Sequence, residues 1–135
     1  MKVIVDTCVW SLALRRRSGA EDPAVTELEE LVREGRAQMM GVIRQEVLSG
    51  IRLREKFDEV KGRLHAFPDL PLDREDHERA AELFNLCREK GVQGSNTDFL
   101  VCASAERHKM AILTMDKDFD FFSKHIPILR HEIGS

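Results

Sequence analysis

The segment KVIVDT, residues 2–7, is a β-branched apolar run that stops at a carboxylate. It lacks the apolar–polar alternation of a strand with one wet face. A short, continuous apolar run is instead the pattern of a strand buried on both faces, which calls for helices above and below it. A second run of this kind, AILTMDKDF (residues 111–119), also ends in acid. Between the two, strand-like runs alternate with longer amphipathic stretches, so the connections are crossovers and the sheet is mostly parallel. The expected fold is three-layer α/β, with a central sheet of about five strands and helices on both faces.

Working outward, strands are expected at residues 2–5, 37–42, 112–114 and 126–129. A further one in FPDLPL (67–72) is confined to a sheet edge by its two prolines. A short helix is expected over 8–14. Asp22-Pro23 supplies an N-cap and first turn for the next helix, with Val25, Leu28, Leu31 and Val32 as its stripe and Gly35 as its stop. The strand at 37–42 runs into a helix carrying Ile43, Val47 and Leu48, and another helix follows over 53–67. Asp73 caps a long helix to Lys90 with Ala80, Ala81, Leu83, Phe84 and Leu86 inside. Residues 98–105 form a helix that is apolar nearly all round.

The 135 residues suit one domain, read here as 1–133, with Gly134-Ser135 set aside as resembling a tag remnant. With 42% hydrophobic and 33% charged residues, the composition is that of a globular chain. No apolar run approaches the ~20 residues that span a bilayer, and the start has no signal-peptide pattern, so a cytoplasmic location without membrane contact is expected. Three widely spaced cysteines (Cys8, Cys87, Cys102) and five histidines without HxH or HxxxH pairing offer neither a disulfide framework nor a zinc site. A net charge of −3 provides no basic footprint for nucleic acid.

Function is signalled by the acids. In an open parallel sheet, ligands gather beyond the carboxyl ends of the strands. Asp6 follows VIV and Asp116 follows ILTM, so both point to one edge if their strands are neighbours. Glu46, in VIRQEVLSGI, falls on or beside an apolar helical stripe, and Asp98 begins the apolar helix. Singly, each has an ordinary explanation: a helix cap for Asp6, Asp98 and Asp116, and an ion pair with Arg44 or Arg52 for Glu46. Together, with no histidine or cysteine motif beside them, they suit a hard cation held through oxygen, Mg²⁺ or Mn²⁺, and hydrolysis of a phosphodiester. DKDFDFF lacks the glycine and distal glutamate of an EF-hand, and no GxxxxGK[ST] loop is present. The triplet Arg15-Arg16-Arg17 is either a phosphate grip near the acids or a solvated basic turn.

The ordered set VIVDTCVW, IRQEVLSG, GSNTDFLVCASA and AILTMDKDF resembles the PIN domain family, and more narrowly the VapC-type toxins of bacterial and archaeal toxin–antitoxin pairs. The resemblance covers essentially the whole chain. It implies a metal-dependent ribonuclease whose acids match Asp6, Glu46, Asp98 and Asp116. Asp6 and Asp98 would be the most direct metal ligands, with Glu46 and Asp116 completing the site directly or through water. Thr7 and Thr114 would orient a bound water. A small antitoxin and a second copy of the chain are the partners implied, beside RNA as substrate. Two other readings remain open from the sequence. One is a metal-dependent phosphatase, which would want DxD where this chain has VDTCV. The other is a catalytically silent RNA- or protein-binding module, for which a costly acid cluster has no use.

Overall fold

The computed structural model describes residues 1–15 and 22–133. Arg16, Arg17 and the tail Gly134-Ser135 lie outside the described residues. In chain order the described elements are β1 (Val3–Val5), α1 (Thr7–Arg15), α2 (Pro23–Arg33), β2 (Ala37–Gln38), α3 (Gly41–Leu48), α4 (Arg54–Leu64), α5 (Arg74–Glu89), α6 (Asn96–His108), β3 (Ala111–Leu113) and α7 (Asp118–Phe122).

β1 is the central strand. It pairs in parallel with β2 on one side (Val3 with Ala37) and with β3 on the other (Ile4 with Ile112, Val5 with Leu113). Successive side chains of a strand face opposite ways, and Val3, Ile4 and Val5 are all wholly buried, so both faces of the sheet are covered. The expected three-layer arrangement is present, but among the described residues the sheet has three strands rather than five. The two missing strands are single parallel bridges, Met39 to Asp69 and Ile112 to Arg130, one at each edge. At the first edge Pro68 and Pro71 flank Asp69, and proline has no N–H to extend a ladder. At the other, the pairing is two hydrogen bonds about Ile112, from its N–H to the Leu129 carbonyl and from the His131 N–H to its own carbonyl (2.9 and 2.8 Å).

Side-chain caps explain the starts of α2, α5 and α6. Asp22 accepts the Ala24 N–H at 2.8 Å ahead of Pro23. Asp73 with Asp76, and Ser95 with Asp98, form reciprocal capping boxes at the starts of α5 and α6. Asp76, almost fully buried, also accepts hydrogen bonds from Arg107 (2.6 Å), which ties the start of α5 to the end of α6. Some expectations shift. The second strand stops at Gln38 and α3 begins at Gly41, so Val42 is helical. Val32 and Ala81 face solvent rather than the core.

An aromatic cluster joins α5, α6 and α7. Phe99 lies 4.8 Å from Phe122 and 5.4 Å from Phe84, centroid to centroid, and Phe119 lies 5.2 Å from Phe122. Gly94 fits against this cluster: a Cβ there would stand 2.6 Å from the Phe122 ring and 3.0 Å from that of Phe99. Gly62, within α4, would place a Cβ in open space. The two glycines should therefore respond oppositely to alanine. Gly94→Ala is expected to lower the melting temperature, at a cost of about 1–3 kcal/mol from overpacking. Gly62→Ala is expected to raise it, stabilising the fold by about 0.5–1 kcal/mol through helix propensity and a less free unfolded chain. Paired thermal melts check the signs.

Candidate active site

Because all three strands run the same way, their carboxyl ends share one edge, and the centre of that edge lies where β1 is flanked by chain from either side. Asp6 is the first residue beyond β1. Its N–H donates to the Leu113 carbonyl at the end of β3 (2.9 Å), and its own carbonyl receives the Val9 N–H as α1 begins (3.1 Å). The carboxylate is buried. It accepts the Thr7 N–H at 2.9 Å on one oxygen and the Thr114 hydroxyl at 2.8 Å on the other. Burial pushes the Asp6 carboxyl above its ordinary value. The Thr114 and Thr7 hydrogen bonds oppose the shift without cancelling it, and the nearby Asp98 charge adds to it.

The four predicted acids line one cleft of about 580 Å³ with Asp6 at its base. Glu46 reaches it from α3, where Ile43 and Val47 are buried and Glu46 itself is exposed. The expected partners of Glu46 are not its partners: Arg44 pairs with Asp69 (2.9 Å) and donates to the Leu64 carbonyl (3.0 Å), while Glu46 accepts the Thr7 hydroxyl at 2.6 Å. Asp98 is the third residue of α6, and one of its oxygens accepts the Ser95 N–H (2.9 Å). Asp116 follows Thr114, sends its N–H to the Thr114 hydroxyl (3.0 Å), and accepts the Asp118 N–H (2.9 Å) at the start of α7. The capping and cleft-lining readings thus hold together for Asp98 and Asp116.

The two threonines bind the acids to one another. Thr7 joins α1 to Glu46, and Thr114 joins Asp6 to the Asp116 backbone. Arg15 is exposed at the end of α1 and does not line the cleft, and Arg16 lies outside the described residues. Cys8, Gln45, Ser49 and Thr97 line the cleft without having been singled out from the sequence. Gln45 and Ser49 could have been found by helical spacing around Glu46, and Thr97 by adjacency to Asp98. The Cys8 thiol accepts the Met115 N–H at 3.3 Å and lies 3.6 Å from Asp6 Oδ2. Burial raises its pKa, so the thiol stays neutral and acts as a donor toward Asp6.

Apart from the neutral Cys8 thiol, the polar groups lining this cleft are four carboxylates, three hydroxyls and the Gln45 carboxamide, with no histidine among them, a mainly oxygen set that in kind suits a hard cation. Among the described residues, no three His, Cys, Asp or Glu side chains are close enough together to hold an ion as a ready-made cage. Magnesium commonly takes only one or two protein carboxylates and keeps several waters, a demand that an open cleft of this kind meets.

Comparison with known proteins places this fold in a family. The PIN domain family model matches residues 3–124. No curated protein matches the chain. Among solved structures, FitAcB from Neisseria gonorrhoeae aligns with a TM-score of 0.76 at 19% identity, covering 96% of each chain. VapBC2 from Rickettsia felis, bound to a promoter DNA fragment, aligns at 0.75 and 15%, covering 97% of this chain and 98% of the other. A toxin–antitoxin complex from Klebsiella pneumoniae aligns at 0.63 and 16%, covering 87% and 90%. At these identities the structures show a common fold, while the family model spans nearly the whole sequence: the chain belongs to the PIN domain family.

Proposed function

We propose that the chain is a metal-dependent endoribonuclease and acts as the toxin of a type II toxin–antitoxin module. The observation that carries this reading is the convergence of Asp6, Glu46, Asp98 and Asp116 on one cleft beyond the sheet of a PIN domain. PIN domains are in general nucleases that use divalent metal ions. Here Asp6 and Asp98 would hold Mg²⁺ or Mn²⁺, with Glu46 and Asp116 reached directly or through water. The cation, when bound, supplies water activation and charge compensation at the phosphate. Thr114 and Thr7 hold Asp6 and Glu46 in place, by bonds of 2.8 and 2.6 Å. No histidine lines the cleft, so no histidine pair is placed to remove the proton of a ribose 2′-hydroxyl, which favours attack by a metal-activated water.

The partners proposed are an RNA substrate, a small antitoxin and a second copy of the chain. Support for the antitoxin comes from the shared fold of the Klebsiella toxin–antitoxin complex. A basic side chain of such a partner is complementary to the acidic cleft and would compete there with metal. A two-fold pair is the usual closed assembly, and a one-chain mass in solution would count against it. Against a phosphatase stands the absence of DxD after β1, and against a silent module the cost of keeping ionised carboxylates together without a cation. No helix among the described residues is long and apolar enough to cross a membrane. A cytoplasmic site of action is part of the proposal.

Two measurements test the reading. Purified protein with Mn²⁺ or Mg²⁺ is expected to cut RNA to a 5′-phosphate and a 3′-hydroxyl, and EDTA to abolish cutting; a 2′,3′-cyclic phosphate would remove the hydrolytic mechanism. The second concerns Asp6 without metal. An acid whose folded pKa exceeds its unfolded one opposes folding when ionised; the penalty is full above the folded value and gone below the unfolded one. Asp6→Asn can keep the Thr7 and Thr114 contacts, its oxygen accepting and its amide donating to a reoriented hydroxyl. In EDTA it should therefore melt above wild type at neutral pH, and the gain should shrink as the pH falls through the raised folded value toward 3.8. A gain constant across that window, or a loss at pH 7, would contradict the burial of an ionised Asp6.

A further inference from the structure

Beside the acidic cleft lies a second groove of about 370 Å³ between α3, α5 and the start of α6. The two share Val42 and Thr97 as walls, so whatever occupies the cleft reaches the groove directly. We propose that this groove receives and reads one base of the RNA, next to the phosphate being cut; the inference rests on the nuclease reading above.

The chemistry of the lining favours a nucleobase. No Lys, Arg, Asp or Glu lines it, so it offers neither a phosphate grip nor a cation site. Its polar side chains are those of His77, Asn85, Asn96 and Thr97, and none of these side chains forms a hydrogen bond or ion pair with another described residue. Carboxamides present a donor and an acceptor side by side, the pairing that the edge of a base requires. The half-buried Phe84, whose ring packs edge-on against Phe99 at 5.4 Å, adds an aromatic surface of the kind on which bases stack. The volume falls in the usual range for small-ligand sites, about 300–1,000 Å³. Single-stranded RNA is recognised in this way, by bases turned out of the stack and bonded along their edges. A neutral anchor also suits the neighbouring cleft, whose carboxylates repel the RNA backbone. Affinity and register would then come from the base, and cleavage from the acids.

The double variant His77→Ala/Asn85→Ala tests the proposal, since both residues are exposed on α5 and alanine favours helix. With Mn²⁺ and a single-stranded RNA of randomised sequence, wild type is expected to prefer one base at a fixed position beside the cut. The variant should lose about tenfold of that preference, while its cutting of the least favoured sequences changes little. An unchanged profile, a uniform fall for all sequences, or a drop in solution mass that makes the groove a contact between copies would each overturn the proposal. A second arm is independent of cleavage. The four nucleosides are titrated into wild type and into the variant, following the Asn96 side-chain amide by NMR. One nucleoside should shift it in wild type more than the others do, and much less in the variant. No shift with any nucleoside overturns the subsite even if RNA is cut. A selective shift without cutting would instead strike the nuclease reading and sustain the subsite.

Discussion

The fold and the site meet at one buried carboxylate. Asp6 ends the central strand, and its N–H completes the pairing of β1 with β3 through the Leu113 carbonyl at 2.9 Å. Its side chain is held from both sides, by the Thr7 N–H and the Thr114 hydroxyl. That hydroxyl also receives the Asp116 N–H, so the ends of two adjacent strands are locked through a single oxygen. Thr7 extends the connection to Glu46 on α3. The geometry of the acids is thus set by hydrogen bonds to hydroxyls and backbone rather than by positive side chains. On the proposed reading, a cleft lined by acids without basic partners suits a cation, and holding those acids together would cost stability without one.

The remainder of the core fixes how the other acids approach. The rings of Phe99, Phe119 and Phe122 pack together, Phe99 next to Asp98 in sequence and Phe119 three residues after Asp116. Gly94 permits the approach of its loop to those rings. The capping box of Ser95 and Asp98 then sets the first turn of α6. Packing thereby restrains backbone near two acids whose side chains remain partly accessible to solvent.

What the sequence disclosed follows the strength of each local signal. Runs buried on both faces are unambiguous, so β1, β3 and the acids that terminate them were legible, and so were the caps at Asp22 and Asp73. The sheet edges were not. Segments that look like strands at 67–72 and 126–129 pair through single bridges, because prolines and short reach limit the ladder. The break between β2 and α3 was hidden inside MMGVI, apolar on both sides of it. The helix α7 was missed because DFDFF alternates acid and aromatic with a strand-like period, although it buries Phe119 and Phe122 three residues apart. Glu46 was expected on or beside the apolar stripe of its helix, with an arginine partner as the ordinary alternative to a site role. Its environment depends on a threonine 39 residues away, which no local pattern announces.

The central proposal is that the four acids form one cation-binding site, and Asp98 tests it most directly. An asparagine at this third position of α6 keeps an oxygen for the Ser95 N–H, so the cap survives while a ligand charge is lost. The measurement is the melting temperature of wild type and Asp98→Asn, each in EDTA and across a Mn²⁺ titration. The account predicts a mutant at least as stable as wild type without metal, and one that loses most of the upward shift Mn²⁺ gives wild type. An undiminished Mn²⁺ shift in the mutant would contradict it.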